Sequence, residues 1–248
     1  MQYQGNPYEI VSTGGGGLAS AAMREQRSRT MTDTPSFPAP DRALLLAALP
    51  MPARAPIETL FALDARLAGI VRATREPMVG QMRLTWWHEA LTKLDGAPAP
   101  AEPLLRDVQQ HLLPAGVSGA RLAGMIDGWE ELIVADALGA ETLDRHAEAR
   151  GAGLFAAAGM VLGADSPLLV PAGRGWALAD LAGHLSAPTA AGLAADAARR
   201  ELSHAFSAPW PAKLRPIGVL SLIARLDATP GSALAKALKV GRFRITGR

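Results

Sequence analysis

The sequence predicts an all-α bundle, and three observations carry that expectation. Hydrophobic residues make up 49% of the 248-residue chain and aromatics only 5%, so the core must be built from Ala, Leu, Val and Ile. Alanine and leucine are the best apolar helix formers, and runs of β-branched residues are scarce. From Asp41 onward the apolar residues recur at spacings of three and four, the period of a helix face.

Residues 1–40 stand apart from this pattern. Residues 2–13 are polar without a period, Gly14 to Gly17 is a glycine run, and Arg24-Glu-Gln-Arg-Ser-Arg29 is charged. Such composition buries too little apolar surface to order itself, so this stretch reads as a disordered or non-native extension, with Met31 as the natural start. Residues 41–246 read as the helical domain. Asp41 is placed to cap a short helix that Pro50 and Pro52 stop. A second helix is expected over 56–75, with Ile57, Leu60, Phe61, Asp64, Leu67 and Ile70 on its inner face.

A third helix opens at Pro77, where a first turn tolerates proline because that N–H has no partner. Two adjacent tryptophans, Trp86 and Trp87, sit about 100° apart on it. Both therefore read as core packing on a widely buried face. Shorter helices follow over 104–113, from a Ser118 cap through Leu132, and from Glu141 or Thr142 to 162. Residues 167–175 read as a loop. Alanine-rich helices broken near Pro188 fill 176–208, and helices over 214–226 and 232–240 close the chain.

Composition also excludes functions. The 25 basic and 23 acidic residues leave a formal charge of +2, too slight for a nucleic-acid partner. The chain has no cysteine, which removes disulfides and thiolate metal sites and fits a cytoplasmic protein. No H-E-x-x-H, P-loop or G-x-S-x-G stands in the chain, and its five histidines read as surface or hydrogen-bonded residues.

One motif is specific. Glu76-Pro-Met-Val-Gly80, followed by Met82-Arg-Leu-Thr-Trp-Trp-His-Glu-Ala-Leu91, resembles the squalene/phytoene synthase family. It is most similar to a bacterial branch that itself resembles a mitochondrial respiratory complex I assembly factor. The run Phe61-Ala-Leu-Asp-Ala-Arg-Leu67 resembles the helix that precedes this motif in the family. The resemblance implies an isoprenoid-synthase-like helical bundle. It also implies an ancestral chemistry, the joining of two isoprenyl diphosphates, in which carboxylates four apart on facing helices hold Mg²⁺.

Those carboxylates are missing where the resemblance puts them. Aligned on Phe61-Ala-Leu63, the first acidic pair falls on Ala68 and Arg72. The second motif falls on Ala182, Leu185 and Ser186, with Asp180 out of register. Asp64 reads as a single solvated or capping carboxylate. Asp127 matches an acidic helix of the family, with Trp129 where an arginine is expected. No D-x-x-x-D occurs in 41–248.

The sequence therefore points to a family member without catalytic or metal-ligating residues, a binding or assembly factor. Asp64, Arg83, Trp86, Trp87, Glu89 and Asp127 are its candidate substrate- or partner-binding residues. The alternative is a divergent prenyl-diphosphate transferase of isoprenoid biosynthesis, and only that reading requires Mg²⁺. Expected partners are a membrane-associated protein complex or an isoprenoid lipid. Residues 232–248 set Leu234 and Leu238 against Lys236, Lys239, Arg242 and Arg244, which suits peripheral contact with the inner face of a membrane. The plain reading of that tail is a docked helix with a solvated basic end.

Overall fold

The computed structural model describes residues 39–74, 76–135, 137–229 and 231–248, with the backbone alone for 39–42. The expectations for residues 1–38, including Met31, lie outside the described residues. The described residues form helices with no strand among them. The first helix, α1 (Ala39–Ala48), begins ahead of Asp41, so that residue lies inside it and not at its cap. Helix α2 (Met51–Ala73) has Pro50 at its N-cap and buries Leu60, Leu63, Asp64, Leu67 and Ala68 along one face. Helix α3 (Pro77–Lys93) starts at the expected proline.

Helix α4 (Pro103–Asp107) runs on as a π-turn, Val108–Leu112. Helix α5 (Gly119–Val134) is capped by the Ser118 hydroxyl, which accepts from the Arg121 N–H at 3.2 Å. Asp95 adds to that cap by accepting from Gly119 and Ala120 at 2.5 and 2.9 Å, which places a carboxylate at the positive end of the helix.

The next rod is not a uniform α-helix. Helix α6 (Ala140–His146) passes through a π-turn, Ala147–Ala152, into α7 (Gly153–Val161). The helix expected to open at Glu141 or Thr142 starts at Ala140, with Gly139 at its N-cap. A π-turn inserts a residue into the helical ladder and re-aims the side chains beside it, which is why such turns collect at functional sites.

Helix α8 (Leu169–Ala182) overturns the loop expected for 167–175. Pro171 lies in its first turn, where a missing N–H costs nothing. Gly173 serves close approach and not a turn. A Cβ there would run into the Gly151 carbonyl oxygen, and one on Gly151 would run into that of Gly173. The π-turn and α8 thus touch backbone to backbone, which only glycine allows.

Helix α9 (Pro188–Ala205) packs along α8 and starts at the proline that was expected to break the alanine-rich stretch. Helix α10 (Arg215–Asp227) buries its N-terminal half, Ile217, Val219, Leu220 and Leu222 among it. Helix α11 (Ala233–Thr246) is capped by Ser232 and runs six residues past the expected end, closing on Gly247 at φ 77°. A glycine reaches this left-handed conformation without the Cβ penalty.

Candidate functional site

The site is a buried cation. Arg150 lies on the π-turn with its side chain fully enclosed. Its Nε donates to Asp64 Oδ1 and its Nη2 to Asp64 Oδ2, both at 2.9 Å, the fork geometry of a bidentate guanidinium–carboxylate pair. Nη2 also reaches Asp180 Oδ2 of α8 at 2.8 Å. The guanidinium carbon stands 4.2 Å from the ring centroid of Trp129 and 4.9 Å from that of Trp176, so two indole faces enclose the charge. Burial alone would lower the affinity of this group for its proton. Asp64 and Asp180 outweigh it and hold the guanidinium more firmly protonated than usual.

Backbone economy brings these groups together. At Gly128 a Cβ would stand 2.8 Å from the Arg150 nitrogen and 3.0 Å from the His146 carbonyl oxygen. The glycine therefore lets α5 lie directly on the π-turn, which sets Trp129 under the guanidinium. His146 is fully buried and its Nδ1 lies 2.6 Å from the Gly128 carbonyl, to which it donates as the neutral imidazole. Burial first, and the Arg150 charge second, push its pKa down to about 3.

Three buried nitrogens around the Trp129 ring have no hydrogen-bond partner among the described residues: Trp129 Nε1, His146 Nε2 and Arg150 Nη1. Leaving such atoms unpaired costs stability. Their concentration around one ring marks this as the polar centre of the molecule.

The six residues singled out from sequence do not assemble into one site. Asp64 joins Arg150 in the core, which corrects its reading as a solvated or capping carboxylate. Paired with a guanidinium, it can be buried without an unbalanced charge. Trp87 is buried, with the Arg66 guanidinium 5.7 Å from its ring centroid. Trp86 is 48% exposed and stands edge-on to Trp87, so the expected core packing holds for only one of the pair. The 100° between them carries Trp86 off the buried face. Arg83 and Glu89 are exposed, Glu89 paired with Lys93 at 3.3 Å.

Asp127 is exposed in a separate groove of about 620 Å³ with Glu130, Glu131, Asp144 and Glu148. Arginines already serve three of these carboxylates. Arg145 holds Glu131, while Arg174 holds Asp144, Glu148 and Glu201.

Sequence reasoning missed Arg150, His146 and Trp176. The available signal was an arginine within Ala147-Glu-Ala-Arg-Gly-Ala-Gly153, a small-residue run where a long cation has no obvious solvent-facing role.

Residues 38–155 match the squalene/phytoene synthase family model. The match spans just under half of the chain and takes in Asp64, the Trp86-Trp87 motif, Asp127 and Arg150, while Asp180 lies beyond it. It agrees with the all-α, isoprenoid-synthase-like architecture. Neither curated proteins nor solved structures return a match to the chain.

Mg²⁺ is the ion that this family implies, and the donor set fits it poorly. Both Asp64 oxygens and one Asp180 oxygen are taken by a guanidinium, so a dication there would face a fixed positive charge. Ala68 is fully buried in the core and Arg72 is exposed on the surface, so neither first-motif position turns a carboxylate inward. Among the described residues no three His, Asp or Glu side chains are grouped to hold a metal.

Proposed function

We propose that this chain is a squalene/phytoene synthase family protein that carries out no prenyl transfer and acts as a non-catalytic binding or assembly factor. The observation that supports this reading is Arg150, held by Asp64 and Asp180 between two indoles. A diphosphate leaving group needs Mg²⁺ on carboxylates to neutralise it. In this chain the inward carboxylates of α2 and α8 serve an internal cation, which makes the old chemical centre part of the scaffold.

Binding then falls to the surface of α3. Met78, Met82 and Trp86 are 72%, 68% and 48% exposed and lie one or two turns apart, beside a shallow pocket of about 470 Å³ shared with Glu89 and Glu130. Val134 of α5 is also exposed. Methionine and tryptophan together suit an adaptable protein contact, because thioethers repack easily and indoles anchor interfaces. The partner class in this reading is a subunit of a membrane-associated complex.

Incubation with farnesyl or geranylgeranyl diphosphate and Mg²⁺ tests the reading. Unreacted substrate is the expected result. A Mg²⁺-dependent condensation product or released diphosphate overturns it, and loss of that product in Asp127→Asn would move the chemistry to the acidic groove.

A further inference from the structure

Helix α11 carries apolar side chains on two opposite faces. Val240 and Phe243 are buried against the protein, where α11 packs on α10. Leu234, Leu238 and Ile245 point the other way and are 70%, 67% and 79% exposed. At 100° per residue these three fall within about 40° of one another, a single stripe along the helix. Exposing three large aliphatic side chains in a row is unfavourable for a surface that meets only water.

The charges beside the stripe say what covers it. Ala233–Thr246 contains four cations and no carboxylate. Lys236 is spent on Asp227 at 2.6 Å. Lys239, Arg242 and Arg244 are exposed, and among the described residues none has an ion-pair partner. On the helical wheel Arg242 and Lys239 flank the stripe on one side and Arg244 on the other. Arg242 and Lys239 also line an adjoining cleft of about 720 Å³ with Arg225, floored by Leu222, Leu226 and Phe243. No Asp or Glu lines that cleft.

An apolar stripe with cations along both edges is the pattern of a helix lying in a bilayer interface. Among the described residues no helix is long and apolar enough to cross a membrane, so such contact is peripheral. We propose that α11 docks on an anionic phospholipid bilayer, with Leu234, Leu238 and Ile245 entering the acyl boundary and Lys239, Arg242 and Arg244 meeting lipid phosphates. The cleft rimmed by Arg225 gives one headgroup phosphate a place behind the stripe. A neutral bilayer would satisfy the leucines and leave the cations without counter-charge, and a protein partner would need a matching acidic-rimmed groove.

Sedimentation of the full chain with phosphatidylcholine vesicles, with and without phosphatidylglycerol, tests the proposal. Binding is expected only with the anionic lipid and should fall as salt rises. Lys239→Gln with Arg242→Gln should weaken it about fivefold per lost cation. Leu238→Asp with Ile245→Asp should abolish it, and neither pair should shift the thermal midpoint because all four side chains are exposed. Equal binding to neutral and anionic vesicles, no binding to either, or binding indifferent to both double variants overturns the proposal. So does a dimer in solution that Leu238→Asp/Ile245→Asp dissolves, since the stripe would then be covered by a second copy.

Discussion

Arg150 and Asp64 lie 86 positions apart and meet through two parallel hydrogen bonds of 2.9 Å, both side chains sealed from solvent. The pair joins α2 to the π-turn, and Asp180 extends it to α8. Three helices thus converge on one charge.

Breaking that pair should be costly, because loss of Arg150 strands the buried Asp64 carboxylate, while loss of Asp64 leaves the guanidinium with Asp180 alone. Asp64→Asn and Arg150→Met are each expected to lower unfolding free energy by about 3–5 kcal/mol. The double variant Asp64→Asn/Arg150→Met should lose distinctly less than the sum of the two, as urea titrations of the cycle will show. Additive losses would mean that the two residues are not energetically coupled.

His146 makes stability depend on pH. Its folded pKa of about 3 lies below the ordinary value of 6.5, so between those values the unfolded chain takes up a proton that the folded chain refuses. Its contribution is therefore full above about 6.5 and drains away as pH falls toward 3, with a slope of up to about 1.4 kcal/mol per pH unit. Urea midpoints between neutral and mildly acidic pH should fall more steeply for the wild type than for His146→Gln. Matching slopes would remove His146 from the account.

Two glycines should respond in opposite directions. Gly151→Ala forces a methyl group onto the Gly173 backbone and is expected to cost about 2 kcal/mol or more. Gly192→Ala, in an exposed stretch of α9 where a Cβ meets nothing within 4 Å, should stabilise by about 0.5–1 kcal/mol. Thermal midpoints of the two variants decide, and the expectation fails if they move the same way.

The adjacent tryptophans offer a further contrast. Trp87→Ala opens a core cavity and should cost about 3–5 kcal/mol. Trp86→Ala gives up one edge-to-face contact and exposed area, about 1 kcal/mol or less. Fluorescence quenching by a soluble quencher should likewise drop most on removal of Trp86. Similar destabilisation by both would place Trp86 in the core after all.

Much of the helical scaffold was readable in the one-dimensional pattern, because periodicity, prolines and caps act locally. Pro77, Ser118, Pro188 and Ser232 start helices where their chemistry says they should. The failures share one cause. Residues 169–175 look like a loop because glycine is a poor helix former, yet Gly173 is there to let two backbones touch. Asp64 looks like an isolated carboxylate because its partner lies far away along the chain.

Helix content, the Trp86-Trp87 motif and the missing D-x-x-x-D pairs follow from residue identity and spacing alone, since each depends on neighbours within a turn or two. That Asp64 and Asp180 pair with Arg150, and which tryptophan faces outward, depended on how the helices pack. Desolvation and charge pairing are set by distance in space, and only the folded chain brings Arg150 within 3 Å of two carboxylates that stand 86 positions before it and 30 after it.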